Sequence, residues 1–331
     1  MKLEKIFCDN MILQADKPIR IYGESCGEVT VKIGENTAKA IPENGKFVAE
    51  LSPMKYGGPY VMEVCGDNEK VTIQNIYTGE VILCSGQSNM AFTMSGEVTP
   101  AEEYVSDDML RLFVSHKDAE SVFEWRICEA STVDSWSAIC YHLGLGLRKK
   151  LGCAVGMVNA SVGASMIHSW MHEDRYYGSE IELPIEKMHR DVTYPAYDWN
   201  TPGNLYHRSF ERLIPYSVRS VVWYQGESNA SDAESVIYDK MLCILAKNWR
   251  EDLRDETLPF TIVQIANYTK YDNKNAWSEL QKAQERAEKT IPHLSCVKCF
   301  DICEDDNIHP PTKYKLAQRI CEDLISKKIF G

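Results

Sequence analysis

Gly79-Glu80-Val81-Ile82-Leu83-Cys84-Ser85-Gly86-Gln87-Ser88-Asn89-Met90 is a short apolar run that ends abruptly in small and polar residues, with a serine at the turn. A strand buried on both faces of a parallel sheet reads as such a continuous apolar run. The carboxyl ends of such strands are where open α/β sheets carry their sites. A second run, Val221-Val222-Trp223-Tyr224, ends the same way in Gln225-Gly226-Glu227-Ser228-Asn229. A third leads into Asp306-Asn307-Ile308-His309-Pro310. The order serine, polar loop, Asp-x-x-His predicts a serine hydrolase on an α/β sheet.

The surrounding pattern supports that sheet. Tyr141 to Leu151 reads as helix, stopped by Gly152, and Ala154 to Asn159 as strand. Ser235 to Trp249 reads as helix and Phe260 to Ile265 as strand. Trp277 to Thr290 is helical, and Lys313 to Ile329 is an amphipathic helix. Such alternation predicts an α/β fold, a parallel sheet with helices on both faces. Asp174 to Asn204 is polar, aromatic and irregular, and is expected to be a long loop over the sheet. The first 75 or so residues read differently. Ile19 to Tyr22, Val29 to Ile33, Phe47 to Leu51 and Tyr60 to Val64 are short alternating runs separated by turn residues, the pattern of a small β-sandwich. The expected division is a β domain over 1–75 and a hydrolase domain over 76–331.

Composition narrows the partners. The 331 residues carry a net charge of −12 and no Lys/Arg-rich block, which speaks against nucleic acid and mildly favours a neutral substrate. No apolar run approaches the roughly 20 residues that cross a bilayer, so no membrane association is expected. Met1 to Phe7 carries an acid and lacks a long apolar core, unlike a signal peptide. The expected location is cytoplasmic, where the 12 cysteines would be free thiols. Cys296-Val297-Lys298-Cys299 has metal-ligand spacing. On a strand, however, those two thiols point to opposite faces, and the chain has no second Cys-x-x-Cys. The preferred reading is a buried strand, with no metal.

Gly86-Gln87-Ser88-Asn89-Met90, Trp223-Tyr224-Gln225-Gly226-Glu227-Ser228-Asn229 and Ile308-His309-Pro310 together resemble the sialate O-acetylesterase branch of the SGNH (GDSL-type) hydrolases. Asp9 to Gln14, Asp16-Lys17-Pro18, Tyr56 to Tyr60 and Leu258-Pro259-Phe260 also have counterparts there, so the resemblance spans most of the chain. It implies an SGNH-type, flavodoxin-like parallel sheet flanked by helices, preceded by a β domain. It also implies a carbohydrate O-acetylesterase that works through a serine acyl-enzyme without metal or organic cofactor. The substrate would be an acetylated mono- or oligosaccharide: O-acetyl sialic acid, or acetylated xylan or mannan fragments. A homo-oligomer is compatible with this reading. The rivals are a lipase, thioesterase or aryl esterase on the same scaffold, and a carbohydrate-binding protein with a silent hydrolase domain.

Ser88 is the candidate nucleophile, and a helix beginning there would aim free N–H groups at a developing anion. His309 is the candidate base, with Asp306 expected to orient it. Asp301, Glu304 and Asp305 lie close by in sequence. Members of the resembled family carry their acid directly before Ile-His-Pro, where this chain has Asn307. A one-residue shift of the acid, or a dyad helped by a backbone carbonyl, stays open. The oxyanion hole would combine the Ser88 N–H, Gly163 and a side chain from the second junction, Gln225 with Asn229 as the alternative. Gly163-Ala164-Ser165 stands where Gly-Gly-Thr is usual in the resembled family. Glu227 is expected at the mouth of the site, either on sugar hydroxyls or supporting the loop. Trp170, Trp223 and Tyr224 are placed either on a sugar ring or in the core. Tyr206-His207-Arg208-Ser209 replaces the family's Tyr-Asn-Gly-Met, and Arg208 either meets a substrate carboxylate or faces solvent. Because the base must be neutral, activity should decline below roughly pH 6.

Overall fold

The computed structural model describes residues 1–115 and 123–330. Its organising element is one long strand. The chain first lays down β1 (Lys2–Leu3), β2 (Ile12–Gln14), β3 (Ile19–Glu24), β4 (Val29–Ile33), β5 (Asn36–Ala40), β6 (Lys46–Leu51) and β7 (Gly57–Gly66). Strand β8 (Glu69–Gly86) then pairs antiparallel with β7 through its first half and parallel with central strands through its second. It thus runs unbroken past position 75, from the N-terminal strands into the central sheet.

The N-terminal strands form two groups. β1, β3 and β6 make one small antiparallel sheet, and β4, β5 and β7 join the first half of β8. The alternation that identified these strands also sets their inward faces: Val29, Val31 and Ile33 are buried on β4, and Phe47, Ala49 and Leu51 on β6. β5 has no such signal, since its residues are polar or small and none is buried.

The central sheet has the order β10 (Trp125–Cys128), β9 (Asp107–Val114), β11 (Val155–Ser161), β8, β12 (Ser220–Tyr224), β13 (Phe260–Val263) and β14 (Leu294–Val297). All these strands run parallel except β10, which closes one edge antiparallel to β9. Period-two alternation splits each strand between two cores. Val81, Leu83, Val221 and Trp223 join one of them, with α4 (Tyr238–Asp252), α5 (Lys274–Thr290) and the N-terminal strands. Ile82, Cys84, Val222 and Tyr224 join the other, with α2 (Ala138–Leu151) and α6 (Lys313–Ser326). Two short helices complete the set introduced here, α1 (Ser88–Ala91) and α3 (Glu173–Tyr176). The 174–204 stretch is irregular apart from α3 and brief 3₁₀ turns.

A buried ion pair at the foot of this sheet is tied to the N-terminal segment by Gln14 and Tyr56. Arg219 contacts both oxygens of fully buried Glu80, Nε to Oε2 at 2.6 Å and Nη2 to Oε1 at 3.0 Å. Gln14 Nε2 donates to the same carboxylate at 2.9 Å and Tyr56 Oη at 2.6 Å.

Candidate active site

The apolar run of β8 ends at Gly86, whose φ of +135° is one that side chains rarely adopt. A Cβ there would stand 2.1 Å from the Tyr224 carbonyl, so only glycine lets β8 and β12 lie this close at the turn. Gln87 follows, its N–H on the Tyr224 carbonyl at 3.0 Å, and α1 begins at Ser88. Ser88 is half-buried, and His309 from the loop before α6 faces it, with Nε2 at 2.7 Å from Ser88 Oγ. Residues 221 apart are therefore joined as nucleophile and base require. A Cβ built on Gly163 would lie 3.8 Å from the Ser88 Cβ, so the loop after β11 forms the neighbouring wall.

Asp306 does not join them. It is exposed and lies 3.4 Å from Lys270 Nζ. The reason is a local turn: Asn307 Oδ1 accepts the His309 N–H at 2.9 Å and sends the preceding carboxylate into solvent. Of the other acids nearby, Asp305 is exposed and two are engaged elsewhere. Asp301 pairs with Arg319, and Glu304 accepts from Thr312 Oγ1 and N–H. Among the described residues, no carboxylate is hydrogen-bonded to His309. Asp306→Asn is accordingly expected to keep acetyl ester hydrolysis within about threefold of wild type, since an exposed ion pair contributes little. Loss of a true orienting acid would cost about 10⁴ in kcat. Steady-state kinetics of the variant decides between them.

Gln225 does not face the serine as an oxyanion donor either. Its side chain is fully buried, and Nε2 lies within hydrogen-bonding distance of Gln87 Oε1, the Ser165 carbonyl and Asn229 Oδ1 at 2.8–3.1 Å. Tyr238 Oη donates to its Oε1 at 2.5 Å. Asn229 is equally committed, accepting from the Ile167 N–H and donating to Glu234. Both amides knit the loops beneath the site together instead of facing a ligand. Trp170, Trp223 and Tyr224 are fully buried, and Trp170 Nε1 donates to Ser165 Oγ, so they belong to the core. Arg208 is exposed, and its described hydrogen bond uses only its carbonyl, which accepts from Arg212. The cysteine motif straddles the end of β14: Cys296 is on the strand, and Cys299 is buried just beyond it.

Glu227 lies behind the serine, not at the mouth. It is buried, and its Oε1 accepts from Asn89 Nδ2 at 2.5 Å. Burial raises its pKa. Asn89 Nδ2 also donates to the Ile308 carbonyl, and Asn89 Oδ1 accepts from Lys313 Nζ at 2.6 Å. Lys313 is buried, and its ammonium sits 5.2 Å over the Phe92 ring and 5.3 Å over Tyr224. Burial pulls its pKa down to about 8. Burial also lowers the pKa of His309, and the Lys313 charge lowers it further. Sequence reasoning missed Asn89 and Lys313, although a signal for the lysine exists. Lys313 keeps helical register with buried Leu316, Ala317, Ile320 and Leu324, so a cation stands on the apolar face of α6. It also stands in the first turn, where the helix dipole disfavours positive charge.

Comparisons with known proteins show the family. Residues 78–326 match the profile of a family described as "Carbohydrate esterase, sialic acid-specific acetylesterase". A sialate O-acetylesterase of Mus musculus is 26% identical, the match taking in 84% of this chain and 62% of that protein. One of Homo sapiens is 24% identical, over 89% of this chain and 62% of its own length. The chain thus spans about six tenths of those curated relatives. A crystal structure of XAC1771, described as a novel carbohydrate acetylesterase from Xanthomonas citri, superposes with a TM-score of 0.83 at 26% identity. It covers 97% of this chain and 73% of its own.

Proposed function

Because the chain belongs to the carbohydrate-esterase family of sialic acid-specific acetylesterases, we propose that it is a serine esterase of SGNH type that removes O-acetyl groups from sugars. The observation that carries this reading is the 2.7 Å contact between Ser88 Oγ and His309 Nε2.

In the proposed reaction Ser88 Oγ attacks the acetyl carbonyl carbon while its proton passes to His309 Nε2. The Ser88 N–H, at the start of a helix where no intrahelical acceptor exists, and the Gly163 N–H receive the oxyanion. Collapse of the tetrahedral intermediate breaks the bond to the sugar oxygen, which takes the proton from the imidazolium. Water, deprotonated by His309, then attacks the acetyl-serine and releases acetate. No described carboxylate stabilises the imidazolium, so the Asn307 turn and the Phe92 ring, 6.4 Å away by centroid, are left to orient the base.

Burial, with the Lys313 charge adding to it, gives this base its pH range. A depressed pKa keeps His309 neutral, and the enzyme active, to a lower pH than an ordinary imidazole would allow. Lys313→Met removes the charge and keeps the stem. The acid limb of kcat/KM is expected to move to higher pH in that variant, and an unchanged limb would sink the idea.

We read the N-terminal strands as a small sandwich that braces the sheet from below. All 12 cysteines are free thiols, which suits a reducing compartment, and we place the protein in the cytoplasm. The net charge of −12 favours neutral acetylated sugars over anionic ones. Acetate release from a panel of O-acetylated sialic acids and O-acetylated xylo- and manno-oligosaccharides tests the proposal. Release from at least one class, abolished in Ser88→Ala, is expected. Sugar binding without any release would replace the enzyme by a binding protein.

A further inference from the structure

A second group of side chains has ligand chemistry that the proposed reaction does not use. His172 and Glu173 open α3, and His207 lies on the turn Tyr206–Phe210; one donor atom from each falls within 4.8 Å of the other two. From this convergence of two imidazoles and a carboxylate we infer that His172, Glu173 and His207 form a binding site for a zinc-like divalent cation, with Glu211 holding His207 from behind.

Four observations support it. First, the donors converge on one carboxylate. His207 Nε2 lies 2.7 Å from Glu173 Oε2, and His172 Nδ1 lies 3.8 Å from the same oxygen and 3.6 Å from Asp174 Oδ2. His172 Nδ1 accepts the Asp174 N–H at 3.3 Å, a bond that a cation taking this lone pair would replace. His207 Nε2 and Glu173 Oε2 are hydrogen-bonded through a proton, whose place a cation would take. Three donors of a tetrahedral zinc stand about 3.4 Å apart at ordinary Zn–N and Zn–O lengths, so modest side-chain rotations close the site.

Second, the other ring nitrogen of His207, Nδ1, lies 3.1 Å from Glu211 Oε2. A ligating histidine whose remaining N–H is held by a carboxylate is the usual outer arrangement of metal sites. Third, the backbone makes room for it. Gly203 has φ +81°, and a Cβ there would stand 2.5 Å from Glu173 Oε2. Fourth, the site is reachable yet braced. The side chains of His172, Glu173 and His207 are 35–40% exposed, while the His172 and His207 rings pack edge-on against Tyr206. Two nitrogens and one carboxylate oxygen suit zinc better than magnesium or calcium. The ion would tie α3 to the 206–210 turn, two parts of the long segment between β11 and β12. It would therefore act on stability, and the site shares no described hydrogen bond or ion pair with Ser88 or His309.

The test is calorimetric titration of zinc into the metal-stripped, reduced full chain. The exposed thiols Cys26, Cys65 and Cys243 also take zinc, so the site is identified by what the histidine variants lose. One binding event should vanish in His172→Ala and in His207→Ala and persist in His293→Asn. Glu211→Gln, an exposed change that threatens no core contact, should weaken it about 10–100-fold. Saturating zinc should raise the melting temperature of wild type by about 5 °C and not that of the histidine variants. Wild-type-like titrations in both histidine variants, or no zinc binding beyond the thiols, overturn the site. Full retention of affinity in Glu211→Gln overturns its supporting carboxylate.

Discussion

Ser88→Ala is expected to lower kcat for acetyl ester hydrolysis by about 10⁴- to 10⁶-fold, with the protein still folded. The oxygen removed is the one 2.7 Å from His309 Nε2, and no other hydroxyl is described against that nitrogen. Without it the acyl-enzyme cannot form, and what persists is the catalysis that the N–H groups and substrate binding supply to direct water attack. Ser88 is half-buried, and its side chain makes no other described hydrogen bond, so the deletion leaves the core intact. His309→Ala should lose nearly as much, and the double variant little more, because the two side chains act as one unit. Acetate release by wild type, the single variants and the double variant is the measurement. Losses that multiply in the double variant would show that Ser88 and His309 act separately.

Arg219→Ala is expected to destabilise the fold by about 3–5 kcal/mol. It removes the bidentate partner of Glu80, whose side chain is wholly inaccessible, and leaves that carboxylate with only the Gln14 amide and the Tyr56 hydroxyl. Breaking one side of a buried pair is costly because the other charge stays out of water uncompensated. Replacing both partners, Glu80→Gln with Arg219→Met, should recover much of the loss for the same reason. Lys70→Ala breaks a pair exposed on both sides, Lys70 with Glu63, and should leave the urea midpoint where it is. Equal midpoints for Arg219→Ala and Lys70→Ala would refute this account of the foot of the sheet.

The legible part of this protein is the part written in short-range pattern. The run from Gly79 to Met90 shows a buried strand, a forced turn and a serine within twelve residues. Strand–helix alternation shows a parallel sheet, because each strand must be followed by something that returns the chain. The families of side chains on β4 and β6 are legible for the same reason, since a period of two assigns each residue to a face. β5 was not, because a strand whose side chains stay out of the core needs no hydrophobic pattern.

Side-chain direction at the loops was settled only in three dimensions. Asp-x-x-His spacing is compatible with an acid on the imidazole, yet the Asn307 side chain takes the His309 N–H and turns Asp306 outward. Gln225 and Glu227 follow a strand end as ligand-binding residues do, but neighbouring loops pack over them and convert them to internal supports. Lys313 and Asn89 lie 224 residues apart, and His172 and His207 are separated by a long irregular segment. The sequence by itself therefore determined the sheet and set Ser88 and His309 in the loops that follow its strands, since these rest on strand periodicity and a local turn. The tertiary structure alone decided which polar groups face the cleft and which are buried behind it. That choice depends on the desolvation and hydrogen bonding of groups far apart in the chain.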